Sequence, residues 1–82
     1  MFVTVRVFAR LRDLTGQPEL SRELPAGATA GSAWESLVQD FPALTDYGRI
    51  VSCAINEDYA RMTDALKDGD EVAFLPPVSG GS

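Results

Sequence analysis

The residues of this chain that could do chemistry are few, which limits the reactions to consider. Cys53 is the single thiol, and the 82 residues include no histidine. The chain therefore has no imidazole base, no histidine metal ligand and no Ser-His-Asp triad. It also lacks a CxxC pair and a GxxxxGKS/T phosphate loop. We expect no metal site and no enzymatic activity in the chain alone, and function through a surface or a terminus.

Two chemical features remain, the thiol and a C-terminal pair of glycines. Cys53 lies in an apolar run, which favours a buried structural thiol over a reactive one. Gly80 and Gly81 have no side chains, so their backbone can pass through a narrow channel and adopt unusual φ and ψ values. Pro76 and Pro77 favour an extended start to this tail. We favour a functional tail over the alternative of a frayed glycine-rich terminus.

The composition is that of one small acidic domain. Of the 82 residues, 45% are hydrophobic and 23% are charged, and the formal net charge is −5. Nucleic-acid binding requires clustered cations, and the chain has only 7 basic residues, so we expect no such partner. We also find no signal peptide and no apolar run of ~20 residues. We therefore expect no membrane association and a cytoplasmic location.

Alternating hydrophobic residues predict four or five β-strands. The first spans residues 2–9 and the last spans residues 71–75. Arg22 falls at an inward position of the strand predicted at 19–24, which indicates an edge strand with Arg22 near its rim. The inward side chains are Val3, Val5, Val7 and Ala9 in the first strand, and Val72 and Phe74 in the last. The remaining predicted elements are strands at 50–56 and 59–61 and a turn or single helical turn at 10–15.

One main helix is predicted over residues 30–41, where apolar side chains recur at i, i+3, i+4 and i+7. Thr29 is the candidate N-cap, and Ser32 with Glu35 offers a capping box one turn later. Pro42 ends the helix, because proline lacks the N–H donor and restricts the residue before it. A single helix covers only one face of the sheet, so the opposite face must meet water or a partner.

The C-terminal sequence carries a family resemblance. Residues 68–81, DGDEVAFLPPVSGG, resemble the C-terminal signature of the molybdopterin synthase small subunit. Residues 8–13 (FARLRD), 24–29 (LPAGAT) and 53–56 (CAIN) are similar to other segments of that family. The sequence PPVSGG directly after a GDEVAF strand is much more specific than a diglycine alone. The resemblance covers nearly the whole chain and is to the ThiS/MoaD type of ubiquitin-like sulfur carriers.

This resemblance implies an α+β fold of the β-grasp (ubiquitin-like) kind. The sheet would be mixed, with four to five strands and one main helix packed on one face. Its first and last strands would lie adjacent and parallel at the centre. The domain would span residues 1–75, and residues 76–82 would form a flexible tail carrying the diglycine.

The resemblance also implies a function in molybdenum cofactor biosynthesis. An ATP-dependent adenylyltransferase of the ubiquitin-activating type would adenylate Gly81, and a sulfur donor protein would convert it to a thiocarboxylate. The tail would then enter the large synthase subunit and give sulfur to a pyranopterin precursor, with Gly80 providing clearance. ATP belongs to the partner enzyme, and the chain itself would bind no cofactor.

There are three alternatives. The chain could carry sulfur for thiamine, cysteine or tRNA thiolation, or modify proteins as ubiquitin does, through the same chemistry at Gly81. It could also be a β-grasp interaction module with an inert tail. The third, an enzyme in its own right, is disfavoured because the sequence lacks catalytic groups.

The uncovered sheet face is the predicted docking surface. Phe8 and Leu75 belong to strands that the resemblance places side by side. The small residues Ala54 and Ala73 between them would leave a flat apolar patch, which on a small protein usually marks a binding site. Arg6 is expected at its charged rim, together with Arg12. The predicted partner-binding residues are Phe8, Arg12, Ala73, Leu75, Pro76, Pro77, Val78 and Ser79.

Ser82 departs from the family, whose members end at the second glycine. While Ser82 is attached, Gly81 lies in a peptide bond and has no carboxylate to activate. We expect Ser82 to be removed before the protein works. The alternatives are a serine that the natural protein lacks and activation of Ser82 itself, which would move the reacting carbon by roughly 3.5 Å.

Overall fold

A computed structural model of the chain describes residues 1–77, and the features expected at residues 78–82 lie outside the described residues. Five strands form one mixed sheet in the order β2-β1-β5-β3-β4. β1 and β5 are parallel, and the other neighbours are antiparallel. This topology confirms the α+β class and the central pairing of the first and last strands. The elements are β1 (Phe2–Val7), α1 (Ala9–Thr15), β2 (Glu19–Glu23), α2 (Ala30–Asp40), a 3-10 helix (Pro42–Tyr47), β3 (Ser52–Ile55), β4 (Asp58–Ala60) and β5 (Glu71–Leu75).

The core lies between α2 and one face of the sheet. Alternation along β1 and β5 is confirmed, because their inward side chains are buried. The Trp34 ring of α2 meets the Phe74 ring of β5 edge to face, with centroids 5.1 Å apart and planes at 63°. Such a contact stabilises an aromatic pair beyond the apolar area that it buries. The largest fully buried side chains are Phe74, Leu11, Leu37, Leu44, Val5, Val7 and Val72.

The predicted first strand is two residues too long. β1 ends at Val7, and Ala9 is an exposed residue that begins α1 with a φ of 52°. The chain turns there because Leu11 is fully buried on α1, a packing contact that alternation does not encode. The predicted single turn is therefore a seven-residue helix, closed by Gly16 in the left-handed region at φ 76°.

β3 and β4 also differ from their predicted ranges. Ile50 lies before β3, because its N–H donates to the carbonyl oxygen of Tyr47 at the end of the 3-10 helix, and it is 51% exposed. Asn56 and Glu57 have φ values of 51° and 73° and form the two-residue turn between β3 and β4. A turn with positive φ at both central positions has a backbone twist that matches the right-handed twist of the two strands that it joins. The turn thus ends β3 at Ile55 and starts β4 one residue earlier than predicted.

The backbone N–H groups in the first turn of α2 are all hydrogen-bonded. The Thr29 hydroxyl accepts from the Ser32 N–H at 3.2 Å, and the Ser32 hydroxyl accepts from the Thr29 N–H at 3.1 Å. The earlier of the two predicted caps is therefore correct. The N–H groups of Ala30 and Gly31 donate to carbonyl oxygens of the loop before β5 at 3.0 and 2.7 Å. No helix within residues 1–77 is long and apolar enough to cross a membrane.

Arg22 occupies the edge position predicted for it. Its strand, β2, is an outer strand of the sheet, and its guanidinium forms an ion pair with Asp40. Asp40 is the last residue of α2, and the last turn contains no basic residue. Arg22 therefore supplies the positive charge that a helix C-terminus and a carboxylate there both favour.

Asp70 ties the β3–β4 turn to the start of β5. Its carboxylate accepts from the Asn56 side-chain amide at 2.9 Å and from the Lys67 N–H at 2.8 Å. The hydrogen bond from Asn56, and next the one from Lys67, lower the pKa of Asp70. The Asn56 carbonyl oxygen also accepts from the Glu71 N–H at 3.0 Å, so this network joins three segments.

We expect this network to make stability depend on pH. The pKa of Asp70 is lower in the folded chain than in the unfolded chain. Its contribution to the free energy of unfolding is therefore complete at pH values above the ordinary pKa of about 4, and it is lost as the pH falls through the folded pKa. Asp70→Asn should lower the free energy of unfolding at pH 7 by less than about 1 kcal/mol, because both hydrogen bonds are exposed to solvent. Urea denaturation at pH 7 and near pH 3 measures the difference in free energy of unfolding between the wild type and the variant, and this difference should be smaller near pH 3. An equal difference at both pH values would contradict the assignment.

Candidate functional site

A groove crosses the sheet face that α2 leaves uncovered. Strand register places Arg6 beside Ala73, Ala73 beside Ala54, and Ala54 beside Tyr59. One row of outward side chains therefore crosses β1, β5, β3 and β4. The surface is recessed in the middle of this row, because the alanine side chains there are short. The groove has a volume of about 300 Å³ and is lined by Arg6, Phe8, Ala54, Glu57, Tyr59, Glu71, Ala73 and Leu75.

The two ends of the groove differ in chemistry. Phe8 follows β1 and Leu75 ends β5, so both lie at the end from which the chain continues toward its tail. Glu71 begins β5 and Glu57 lies in the β3–β4 turn, so both lie at the opposite end. The length of β5 separates the ends by roughly 13 Å. The groove is thus apolar beside the tail and acidic away from it.

Phe8 is an exposed aromatic that Arg6 supports. The Phe8 side chain is 37% exposed, and the Arg6 Cζ atom lies 5.5 Å from its ring centroid, within cation–π range. On its other side, the Arg6 Nη1 atom lies 3.4 Å from the Glu71 Oε2 atom. Arg6 therefore contacts a ring and a carboxylate of its own chain, and holds the apolar end of the groove in place.

The structure brings some of the predicted site residues together. Phe8, Ala73 and Leu75 all line the groove. Arg12 is exposed on α1 and is absent from the lining, so the cation at the groove is Arg6. Directly after β5 come Pro76, which is half-buried, and Pro77, which is exposed. The predicted residues Val78, Ser79, Gly80 and Gly81 lie outside the described residues, and partner binding by the whole set stays a prediction.

Sequence reasoning missed three lining residues, Glu57, Tyr59 and Glu71. Tyr59 is 87% exposed, and an exposed aromatic within a predicted strand is a signal that could have identified it. Glu57 and Glu71 gave no such signal in the sequence, because acidic residues near turns usually face water and have no binding role. Their place at the groove depends on strand register.

Cys53 lies on the inner face of β3 and is 3% exposed, which confirms the buried thiol. Its S–H donates to the Ala60 carbonyl oxygen at 3.4 Å. Burial, and second the negative charge of Asp64, raise the pKa of the Cys53 thiol. Since the thiolate is the nucleophile, this cysteine is protonated and unreactive at neutral pH.

We expect alkylation to confirm this. At pH 8, iodoacetamide should label Cys53 at least about tenfold more slowly in the folded chain than in urea, because reaction requires local opening. Intact mass measured over time gives both rates. Equal rates in the two conditions would show that Cys53 is accessible and would overturn the structural role.

The strand order and the groove define a β-grasp domain of the ubiquitin-like kind. The chain matches the ThiS family over residues 5–81. A molybdopterin synthase sulfur carrier subunit from Chlamydomonas reinhardtii is 40% identical, over 99% of this chain and 100% of that relative. The chain therefore belongs to the ThiS family.

Solved structures agree with this placement. The crystal structure of SAMP1 from Haloferax volcanii has a TM-score of 0.85 at 30% identity, covering 99% of this chain and 100% of that one. A chain in the crystal structure of the Amycolatopsis orientalis BexX/CysO complex has a TM-score of 0.70 at 26% identity, covering 96% of this chain and 99% of that one. A protein similar to this chain has thus been crystallised in a complex with a partner.

Proposed function

We propose that this chain is the sulfur carrier subunit of a molybdopterin synthase. The observation that carries the proposal is its 40% identity, over 99% of its length, to a relative with that name. The proposal also draws on the groove, because its apolar end lies where β5 continues toward Gly80 and Gly81. Sulfur carriers of other pathways and protein modifiers would use the same terminal chemistry, and the name of the relative favours the synthase.

The proposed chemistry takes place at Gly81. A free carboxylate there is a poor acyl donor, because its leaving group would be oxide. In the adenylyltransferase, a carboxylate oxygen bonds to the α-phosphorus of ATP and pyrophosphate leaves. Sulfur then bonds to the carbonyl carbon as the bond to AMP breaks. Sulfide gives the thiocarboxylate directly, whereas a persulfide on a donor protein first gives an acyl disulfide, whose S–S bond a thiol must then reduce. The resulting thiocarboxylate is a sulfur nucleophile on a protein arm, so the carrier needs no acid or base of its own.

The large synthase subunit is the proposed docking partner. The groove would bind its surface, and the tail would pass into its active site and deliver sulfur to the pyranopterin precursor. Six residues from Pro76 to Gly81 reach at most roughly 20 Å when extended. The groove would therefore set both the position and the direction from which Gly81 arrives. A cytoplasmic location completes the proposal, because the reaction consumes ATP.

We expect the apolar end of the groove to be essential for docking. Phe8→Asp and Leu75→Asp should each weaken binding to the large subunit about 100-fold, because a buried interface charge without a partner is costly. Both side chains are partly exposed and point away from the core, so the melting temperature should change little. Titration calorimetry and thermal unfolding measure the two effects.

Ile50→Asp is the matched control, because Ile50 is also an exposed apolar residue but lies outside the groove lining. It should bind as the wild type does. Normal binding by Phe8→Asp, or unfolding of either groove variant, would refute the assignment of this face.

The proposed reaction at Gly81 has a direct test. A chain ending at Gly81 is incubated with the purified adenylyltransferase, ATP and a sulfide source, beside the 82-residue chain. The shorter chain should gain the mass difference between sulfur and oxygen, because only it offers a Gly81 carboxylate. The 82-residue chain should react only after a peptidase removes Ser82. A thiocarboxylate on Ser82, or none on either chain, would contradict the proposal.

A further inference from the structure

The acidic end of the groove contains one carboxylate, that of Glu57, which has no counter-ion within the described part of the chain. Three charged side chains line the groove: Arg6, Glu57 and Glu71. Arg6 and Glu71 form an ion pair with each other. Among residues 1–77, Glu57 forms no ion pair. The groove therefore presents one unit of negative charge beyond what its own cation neutralises.

This carboxylate stands at a position where glutamate is a poor choice for the fold. Glu57 has a φ of 73°, a conformation that is unfavourable for an L-residue with a side chain and that glycine adopts freely. The turn is held by its neighbour Asn56, through hydrogen bonds to Asp70 and Glu71. The Glu57 side chain makes no hydrogen bond within the described residues. Local stability thus gives no reason for a carboxylate here.

A second feature of the groove suits a cation. Tyr59 lines the groove with an 87% exposed side chain, the most exposed large hydrophobic residue among residues 1–77. The face of a tyrosine ring attracts guanidinium and ammonium groups. Arginine suits this combination best, because its planar fork pairs with a carboxylate while its face stacks on a ring. Ala54 is the register neighbour of Tyr59, and Glu57 lines the same groove.

We propose that Glu57 and Tyr59 together bind an arginine side chain on the large synthase subunit. This inference rests on the proposed function and adds a polar contact to the apolar docking end. The two ends lie roughly 13 Å apart along β5. Contacts at both ends restrict the orientation of the domain on its partner more than the apolar contact alone would. Glu57 is thus a residue that determines specificity and orientation at the interface.

The test measures binding of the 82-residue chain and its variants to the purified large subunit in low and high salt. Glu57→Gln keeps the size and removes the charge, so it should weaken binding roughly two- to fivefold in low salt and less in high salt. Glu57→Gly should weaken binding equally while raising the melting temperature by about 4 °C, because it relieves the positive φ. Tyr59→Leu should weaken binding, and Tyr59→Phe should keep it, because only phenylalanine retains a ring face.

Glu35→Gln is the control, because it removes the same charge from the exposed face of α2, outside the groove. It should bind as the wild type does. Normal binding by Glu57→Gln, or an equal loss in Glu35→Gln, would overturn the contact while leaving the proposed function intact. No binding by the wild-type chain, with or without Ser82, would overturn the proposed function and the contact together.

Discussion

The parallel pairing of β1 with β5 is the constraint on which the rest of the structure depends. It joins the two ends of the described chain, with Thr4 beside Glu71 and Val7 beside Phe74. β5 is hydrogen-bonded on its other side to β3, so it cannot leave without opening the sheet. The residues after Leu75 therefore leave the domain at a defined point beside Phe8. A terminal arm that must reach a reactive centre needs such a fixed base, because small displacements cost large factors in rate.

The turn before β5 keeps this pairing in register. The Asp68 carboxylate accepts from the Phe2 N–H at 2.8 Å, and the Gly69 N–H donates to the Phe2 carbonyl at 2.7 Å. Gly69 has a φ of 86°, which glycine tolerates best. Asp70 binds the neighbouring hairpin. The acidic turn thus has a structural role, because it aligns the strands whose outward residues line most of the groove.

The two ends of the groove share a physical feature. Ala9, next to Phe8, and Glu57 are both non-glycine residues with positive φ, at 52° and 73°. Backbone strain of this kind persists only where surrounding structure enforces it, and it concentrates at functional sites. Here α1 packs Leu11 into the core on one side, and the Asn56 hydrogen bonds hold the turn on the other. The strain is thus sustained by core packing at Ala9 and by the hydrogen-bond network of the β3–β4 turn at Glu57.

The sequence by itself determined the features that depend on neighbours within a few positions. These are the alternation of β1 and β5, the buried stripe of α2 and the chemistry available to Gly81, whereas the sequence offered two caps for α2 and the structure chose Thr29. Only the tertiary structure decided which outward residues meet. Arg6 and Arg12 both flank Phe8 in sequence, but the chain turns at Ala9 because Leu11 is buried, and Arg12 lies outside the groove. Glu57 of the β3–β4 turn, Tyr59 of β4 and Glu71 of β5 line one groove, because strand register is set by the packing of residues far apart in the chain.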